Sequence, residues 1–311
     1  MPLTDQNLGF LQSLAEAGAK PFHTMTPTEC RAAFDMLLGA MPPTTQRLAA
    51  VADRTVPAAH GEIPVRVYTP EGSGPWPAVV YFHGGGWVIG GLDSYDTLCT
   101  ELAARVGAVI VSVDYRLAPE ARFPAAADDS LTALRWVAAN AGEFTIDPGR
   151  LAVAGDSAGG NLSAVTALRV RDEGGPALRG QVLLYPVTKL AGDPMPSLIE
   201  NADGPLLTLA DMEYFVGHYA ASEQDARHPH CSPLFADSFA NLPPALVQTC
   251  EFDPLRDEGE AYGQALQQAG NDVVIHRYDG AFHGMLCFAT ALDQSKEMLA
   301  EIVDWLKVRL A

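Results

Sequence analysis

The chain has 311 residues, 48% hydrophobic and 19% charged, enough to bury a large core as one big domain or two modest ones, which excludes a disordered chain. Its 38 acidic residues against 20 basic give a net charge of −18, and no Lys/Arg cluster is denser than Lys307 and Arg309, which argues against nucleic acid and anionic membrane surfaces as partners. Five scattered cysteines (Cys30, Cys99, Cys231, Cys250 and Cys287) form no CxxC pair, arguing against a disulfide scaffold or thiolate metal site and for free thiols in a reducing cytoplasm.

Residues 1–50 read as a helical preface. Leu8, Leu11 and Leu14 recur at helical spacing, and a second helix over 28–38 carries Ala33, Phe34, Leu37 and Leu38 as its apolar positions before Met41-Pro42-Pro43 stops it. Asp5, with no basic segment ahead of an apolar run, speaks against a signal peptide. The uncharged stretch 72–92 is broken by prolines, glycines and His83, so no membrane-spanning helix is expected.

From about residue 50 the period changes to two. Ile63, Val65 and Val67 alternate with Glu62, Pro64 and Arg66, as in a half-exposed antiparallel strand. An unbroken apolar run at 77–82 and similar, mainly apolar runs at 108–113, 151–154, 180–185, 245–249 and 273–277 follow, each too short for a helix. Helical stretches separate them, at about 93–106, 125–141, 158–171, 256–269 and 291–309. This alternation predicts an α/β fold with a mainly parallel sheet and helices on both faces. Between 186 and 240 no sheet strand is evident; a helix over 209–219 suggests an insertion that forms a lid with the N-terminal helices.

The chemistry-bearing residues sit where strands end. Gly155-Asp-Ser-Ala-Gly159 follows the strand at 151–154 and opens a helix, the context of a nucleophile elbow that pushes the Ser157 hydroxyl out above the sheet. Glycines at both ends leave that cramped turn unobstructed. After the strand ending at Phe82, His83-Gly-Gly-Gly86-Trp87 offers unshielded backbone N–H groups; Gly84 and Gly85, with Ala158 after the nucleophile, are the expected oxyanion donors. His83 is expected to brace this loop. A phosphate-binding reading fails because the Lys-Ser/Thr of a P-loop and the spacing of a dinucleotide fingerprint are missing.

In hydrolases with this elbow the acid and base follow the nucleophile in chain order. Asp253 stands just beyond the strand at 245–249, with Glu251 and Asp257 as flanking alternatives; His283 stands after the last strand. His283 would take the serine proton while Asp253 holds its tautomer. His276 reads as a strand histidine, and His228 with His230 lacks a third metal ligand, so no metal and no cofactor are expected. Asp156 and Asn161 are expected to support the elbow by hydrogen bonding, and Arg116 to pair with Glu120 inside the loop Asp114–Glu120. Trp87, Tyr95, Tyr185, Phe215, Phe282 and Leu286 are candidate pocket residues.

His83-Gly-Gly-Gly-Trp87, Asp114-Tyr-Arg-Leu-Ala-Pro-Glu120, Gly155-Asp-Ser-Ala-Gly-Gly-Asn161, Asp253-Pro-Leu-Arg-Asp257 and His283-Gly284 occur together and in this order. The set closely resembles the hormone-sensitive-lipase-like α/β-hydrolases, the bacterial family IV carboxylesterases, over residues 50–311. The resemblance implies an α/β-hydrolase fold with eight mostly parallel strands, an antiparallel second strand and a helical cap. It divides the chain into cap helices (1–50), a first core part (51–185), a cap insertion (186–240) and a second core part (241–311). It further implies hydrolysis of small-molecule esters of short to medium acyl chain, about C4–C8, by Ser157, Asp253 and His283, in a monomer or homodimer. An acetyl-ester deacetylase, a serine amidase and a non-catalytic ligand-binding protein on the same fold are the competing readings.

Overall fold

The computed structural model describes residues 2–311; Met1, at the head of the expected cap segment, lies outside the described residues. One eight-stranded sheet runs in the spatial order β1 (Ala50–Ala58), β2 (Gly61–Thr69), β4 (Val109–Val113), β3 (Trp76–Phe82), β5 (Ile146–Asp156), β6 (Leu178–Leu184), β7 (Ala245–Phe252) and β8 (Val273–Phe282). β2 lies antiparallel to both β1 and β4, and all other neighbours are parallel. Burial follows the sequence pattern. In β2, Ile63, Val65 and Val67 are buried while Glu62 and Pro64 are exposed, and all five residues of β4 are buried.

The helical layers differ in what they cover. Val79 and Tyr81 point to the face closed by α3 (Asp96–Val106) and α10 (Asp293–Arg309). Val80 and Phe82 point to the opposite face, closed by α4 (Ala125–Ala139) and α5 (Ala158–Glu173), with α9 (Arg256–Gln268) continuing that layer over β6 and β7. Every parallel strand therefore delivers its last residue to the same edge of the sheet, the place where open α/β sheets position ligands.

Two segments lie over that edge. The first holds α1 (Asp5–Glu16) and α2 (Pro27–Gly39); the second holds α6 (Pro196–Glu200), α7 (Leu209–Tyr219) and α8 (Glu223–Arg227), with no strand between 186 and 240. Each main helix starts at a capping box, Thr26 with Glu29 and Thr208 with Asp211. The same Asp211 carboxylate accepts the backbone N–H of His23 at 2.9 Å and faces its ring Nδ1 at 2.8 Å, while Phe22 packs on Phe215 at 5.5 Å. The two segments are thereby joined to each other. Burying Phe215 to 3% exposure contributes on the order of 1.5–3 kcal/mol to that joint.

The expected Arg116–Glu120 pair does not form. Arg116 turns to the buried Asp129 of α4 at 2.8 Å, which also accepts its backbone N–H. Glu120 instead takes Arg31 of α2 at 2.7 Å, and Arg31 donates as well to the carbonyls of Val88 and Ala118. The loop serves as the dock for the N-terminal segment, a partnership across a sequence distance that local spacing does not display.

Candidate active site

Ser157 is the residue between β5 and α5, with φ 53° and ψ −116°. A non-glycine residue in that region stores strain of about 1–3 kcal/mol, and the surroundings hold it there. The Ser157 N–H donates to the Leu184 carbonyl at 2.8 Å, and its own carbonyl accepts from Asn161 and Val187. The Asn161 side chain donates to the carbonyls of Val187 and Cys231, both at 2.9 Å, pinning the helix start to the chain beyond β6. A Cβ at Gly159 would run into the Phe82 carbonyl, and one at Gly155 into the Gly159 carbonyl, so the turn closes only with glycine at both ends.

His283, directly after β8, faces the Ser157 Oγ with Nε2 at 2.9 Å, and its Nδ1 lies 2.8 Å from Asp253 Oδ2. Asp253 is fully buried beyond β7, and its other oxygen accepts the Leu255 N–H at 2.8 Å. An ionised carboxylate only accepts, so the imidazole proton sits on Nδ1 and the Nε2 lone pair faces the serine hydroxyl. This arrangement can draw a proton from Ser157 and stabilise the imidazolium that results. The flanking carboxylates are engaged elsewhere: Asp257 takes the Ser197 N–H and Arg256, and Glu251 takes the Gly280 N–H. His276 lies exposed on β8 against Glu301.

The glycine loop departs from expectation by one residue. The Gly84 N–H points away from the pocket, donating to Asp156 Oδ1 at 2.9 Å and the Tyr95 hydroxyl at 3.0 Å. Gly85 and Gly86 line the pocket, and neither backbone N–H has a hydrogen-bond acceptor among the described residues. The Ala158 N–H lies in the first turn of α5, where no intrahelical acceptor exists. Burial pushes the Asp156 carboxyl up, and bonds from Tyr81, Tyr95 and Gly84 oppose that shift. Burial likewise lowers His83 to about 4, so its ring stays neutral; Nδ1 lies 2.7 Å from the Gly84 carbonyl and the ring stacks on Tyr115 at 4.3 Å. His83 and Asp156 thus grip the loop from two sides.

The pocket is narrow, about 70 Å³, and almost wholly apolar. Three of the six expected aromatic and aliphatic candidates line it: Trp87, Tyr95 and Phe215. The other three do not. Tyr185 packs edge-on beneath the His283 ring at 4.9 Å, whereas Phe282 and Leu286 are buried in the α3/α10 layer, Phe282 stacking on Phe10. Phe22, Phe34 and Leu37 from the N-terminal segment, and Leu206, Leu207 and Met212 from the insertion, take their place. Phe34 and Leu37 stand on the apolar face of their helix in sequence, and that face was the available signal. Among the described residues, no group of three His, Cys, Asp or Glu side chains is placed to hold a metal, and no helix is long and apolar enough to cross a membrane. All five cysteines are free.

A profile of the α/β-hydrolase fold matches residues 79–287. The carboxylesterase NlhH of Mycobacterium tuberculosis is 46% identical over 240 residues, 76% of this chain and 75% of that protein. The ethyl acetate hydrolase of Pseudomonas putida is 36% identical over the whole of both chains, at 100% coverage. Among solved structures, the hyperthermophilic esterase from the archaeon Pyrobaculum calidifontis superposes with a TM-score of 0.94 at 43% identity, covering 99% of each chain.

Proposed function

The chain belongs to the hormone-sensitive-lipase-like α/β-hydrolases and is a carboxylic-ester hydrolase, and from that premise we propose that Ser157, His283 and Asp253 carry its chemistry through an acyl-enzyme. The observation that carries this reading is the continuous hydrogen-bonded path Ser157–His283–Asp253 at the rim of a buried apolar pocket. Ser157 Oγ attacks the ester carbonyl as its proton passes to His283 Nε2, and Asp253 stabilises the imidazolium. The developing oxyanion is held by the N–H groups of Gly85, Gly86 and Ala158, with Gly86 replacing Gly84 because the Gly84 N–H already has two acceptors. His283 returns the proton to the leaving alkoxide. Water then enters and attacks the acyl carbonyl as it gives a proton to His283, and His283 passes that proton to Ser157 Oγ as the acid leaves.

The narrow apolar pocket supports neutral esters of about C4–C8 acyl length. Acetyl esters are the second reading, favoured by the same small volume and by the full-length likeness to an ethyl acetate hydrolase. The pocket walls support the division of the chain into cap segments 1–50 and 186–240 over core parts 51–185 and 241–311, since both segments contribute side chains to it. Five free thiols support a cytoplasmic location.

The test is turnover of p-nitrophenyl esters from C2 to C16 by the wild type and Ser157→Ala. A maximum between C4 and C8 that vanishes in the variant is expected, and a maximum at C2 selects the acetyl-ester reading. Turnover undiminished in Ser157→Ala refutes the serine mechanism.

A further inference from the structure

A second cavity, of about 210 Å³, lies behind the substrate pocket, with Met212 of α7 as the wall common to both. Its sides are apolar: Met195, Leu198, Leu209, Met212, Val216 and Leu255. Among them stands Glu258 of α9, only 3% exposed. One of its oxygens, Oε1, accepts the backbone N–H groups of Thr188 at 2.6 Å and Lys189 at 3.1 Å. The other, Oε2, has no hydrogen-bond partner among the described residues, yet it is not sealed from solvent, so the cavity is the space it faces. A buried carboxyl with a free oxygen inside an apolar chamber is costly unless something completes it.

The surrounding charges select the complement. Asp193 and Glu213 stand at the rim, and Asp253 lies beyond Leu255; among the described residues the cations here are Lys189, whose Nζ donates to the Asp193 carbonyl, and Arg227, whose guanidinium reaches Gly192 but is paired with Glu223. On α9 itself, Arg256 and Asp257 pair with each other. An anion would meet four carboxyl groups. A metal ion would find only the Glu258 carboxyl inside the chamber, the other three standing at its rim or beyond its wall, and no three-ligand group exists among the described residues. A neutral alcohol would make the hydrogen bond without the charge attraction. We propose that this cavity is a second ligand site for a small organic cation with a short hydrocarbon body, a primary alkylammonium, whose N–H donates to Glu258 Oε2 while its alkyl chain packs between Met195, Leu209 and Val216.

The proton balance gives the site a signature. Burial, reinforced by Asp253 and opposed by the two backbone N–H groups and Lys189, raises the Glu258 carboxyl to about 8, so near neutrality it is mostly protonated. Binding a cation there releases the carboxyl proton to buffer. The apparent affinity therefore rises about tenfold from pH 7 to pH 9, over which an alkylammonium keeps its charge.

The experiment is isothermal titration of the protein with n-butylammonium chloride at matched ionic strength, at pH 7 and 9 and in two buffers of different ionisation enthalpy. The protein is first treated with diethyl p-nitrophenyl phosphate, which blocks the substrate pocket; failure of that labelling would count against the Ser157 reading and not against this site. Expected are saturable binding, close to one proton released at pH 7, and affinity at least about tenfold lower for 1-butanol and for Glu258→Gln, whose amide oxygen still accepts from Thr188 and Lys189. Val216→Phe, which fills the chamber and leaves Glu258 in place, is expected to abolish binding. No saturable binding at millimolar n-butylammonium, or equal affinity in Glu258→Gln or Val216→Phe, would overturn the proposal.

Discussion

Asp156 sits next to Ser157, the proposed nucleophile, but aims its carboxylate backward, and replacing it tests what fixes the glycine loop. The group is 2% exposed and accepts from the Tyr81 hydroxyl at 2.8 Å, the Gly84 N–H at 2.9 Å and the Tyr95 hydroxyl at 2.9 Å. In Asp156→Asn the amide oxygen can keep Tyr81 and Gly84, while its NH₂ meets the Tyr95 hydroxyl and leaves one buried proton without an acceptor, a loss of about 1–3 kcal/mol. The loop keeps its anchor, so kcat should fall by no more than about tenfold. Asp156→Ala removes the acceptor for both tyrosine hydroxyls, about 2–6 kcal/mol, and leaves the Gly84 N–H with Tyr95 alone. The amides of Gly85 and Gly86 then lose their fixed distance from Ser157. Since one oxyanion donor contributes about 10²–10³ in kcat, we expect a fall on the order of 10² with KM little changed. Urea denaturation and steady-state hydrolysis of p-nitrophenyl butyrate measure both effects. If Asp156→Ala keeps kcat within about threefold of wild type, or if both variants lose the same amount, the anchoring argument is wrong.

Asp253→Asn should lower kcat by about 10⁴ with little change in Tm, because an amide donating to Nδ1 turns the His283 proton toward Ser157; this magnitude is the one known for the equivalent change in a serine protease. Gly159→Ala should destabilise by more than about 4 kcal/mol or prevent folding, since its Cβ meets the Phe82 carbonyl and neither backbone can yield; Tm and soluble yield report it. Glu258 predicts an alkaline loss of stability. Its folded pKa of about 8 lies above the ordinary 4.5, so its contribution is fully present below 4.5 and is lost as pH rises through 8. Between pH 7 and 9 the wild type should therefore lose about 1.4 kcal/mol more than Glu258→Gln in urea titrations, and parallel pH profiles would contradict this.

Much of the fold is legible because the parallel strands are buried on both faces and read as short apolar runs, so their ends can be placed to within a few residues. The proposed triad of Ser157, Asp253 and His283 can be picked out for a related reason: each directly follows the last residue of a parallel strand. The edge of the sheet is harder to read. In β1 only Val56 is buried, and so little alternation survives there that the strand has no clear pattern of its own. β8 continues to Phe282, well past its apolar start, since its first half is an exposed edge.

What sequence does not show is which of several equivalent groups a distant neighbour engages. Three successive glycines look alike, yet a Cβ on Gly84 alone would strike both the Asp156 carboxylate and the Tyr95 hydroxyl, so its N–H is tied to them and the next two are left for the pocket. The same holds for side chains near the motifs. Phe282 precedes His283 on a strand end, and alternation alone sends its ring to the opposite face, toward Phe10 and Phe288. Adjacency to a reactive residue therefore argues against lining the pocket as often as for it. Pocket walls come from residues such as Phe34, Met212 and Phe215, whose helices cross the strand ends from segments far apart in the chain. The reactive atoms follow from local turns and strand ends, whereas the volume offered to a substrate is set by how two cap segments, joined through His23 and Asp211, settle on one another. For that reason substitutions that part this joint should alter which esters are accepted before they alter how Ser157 reacts.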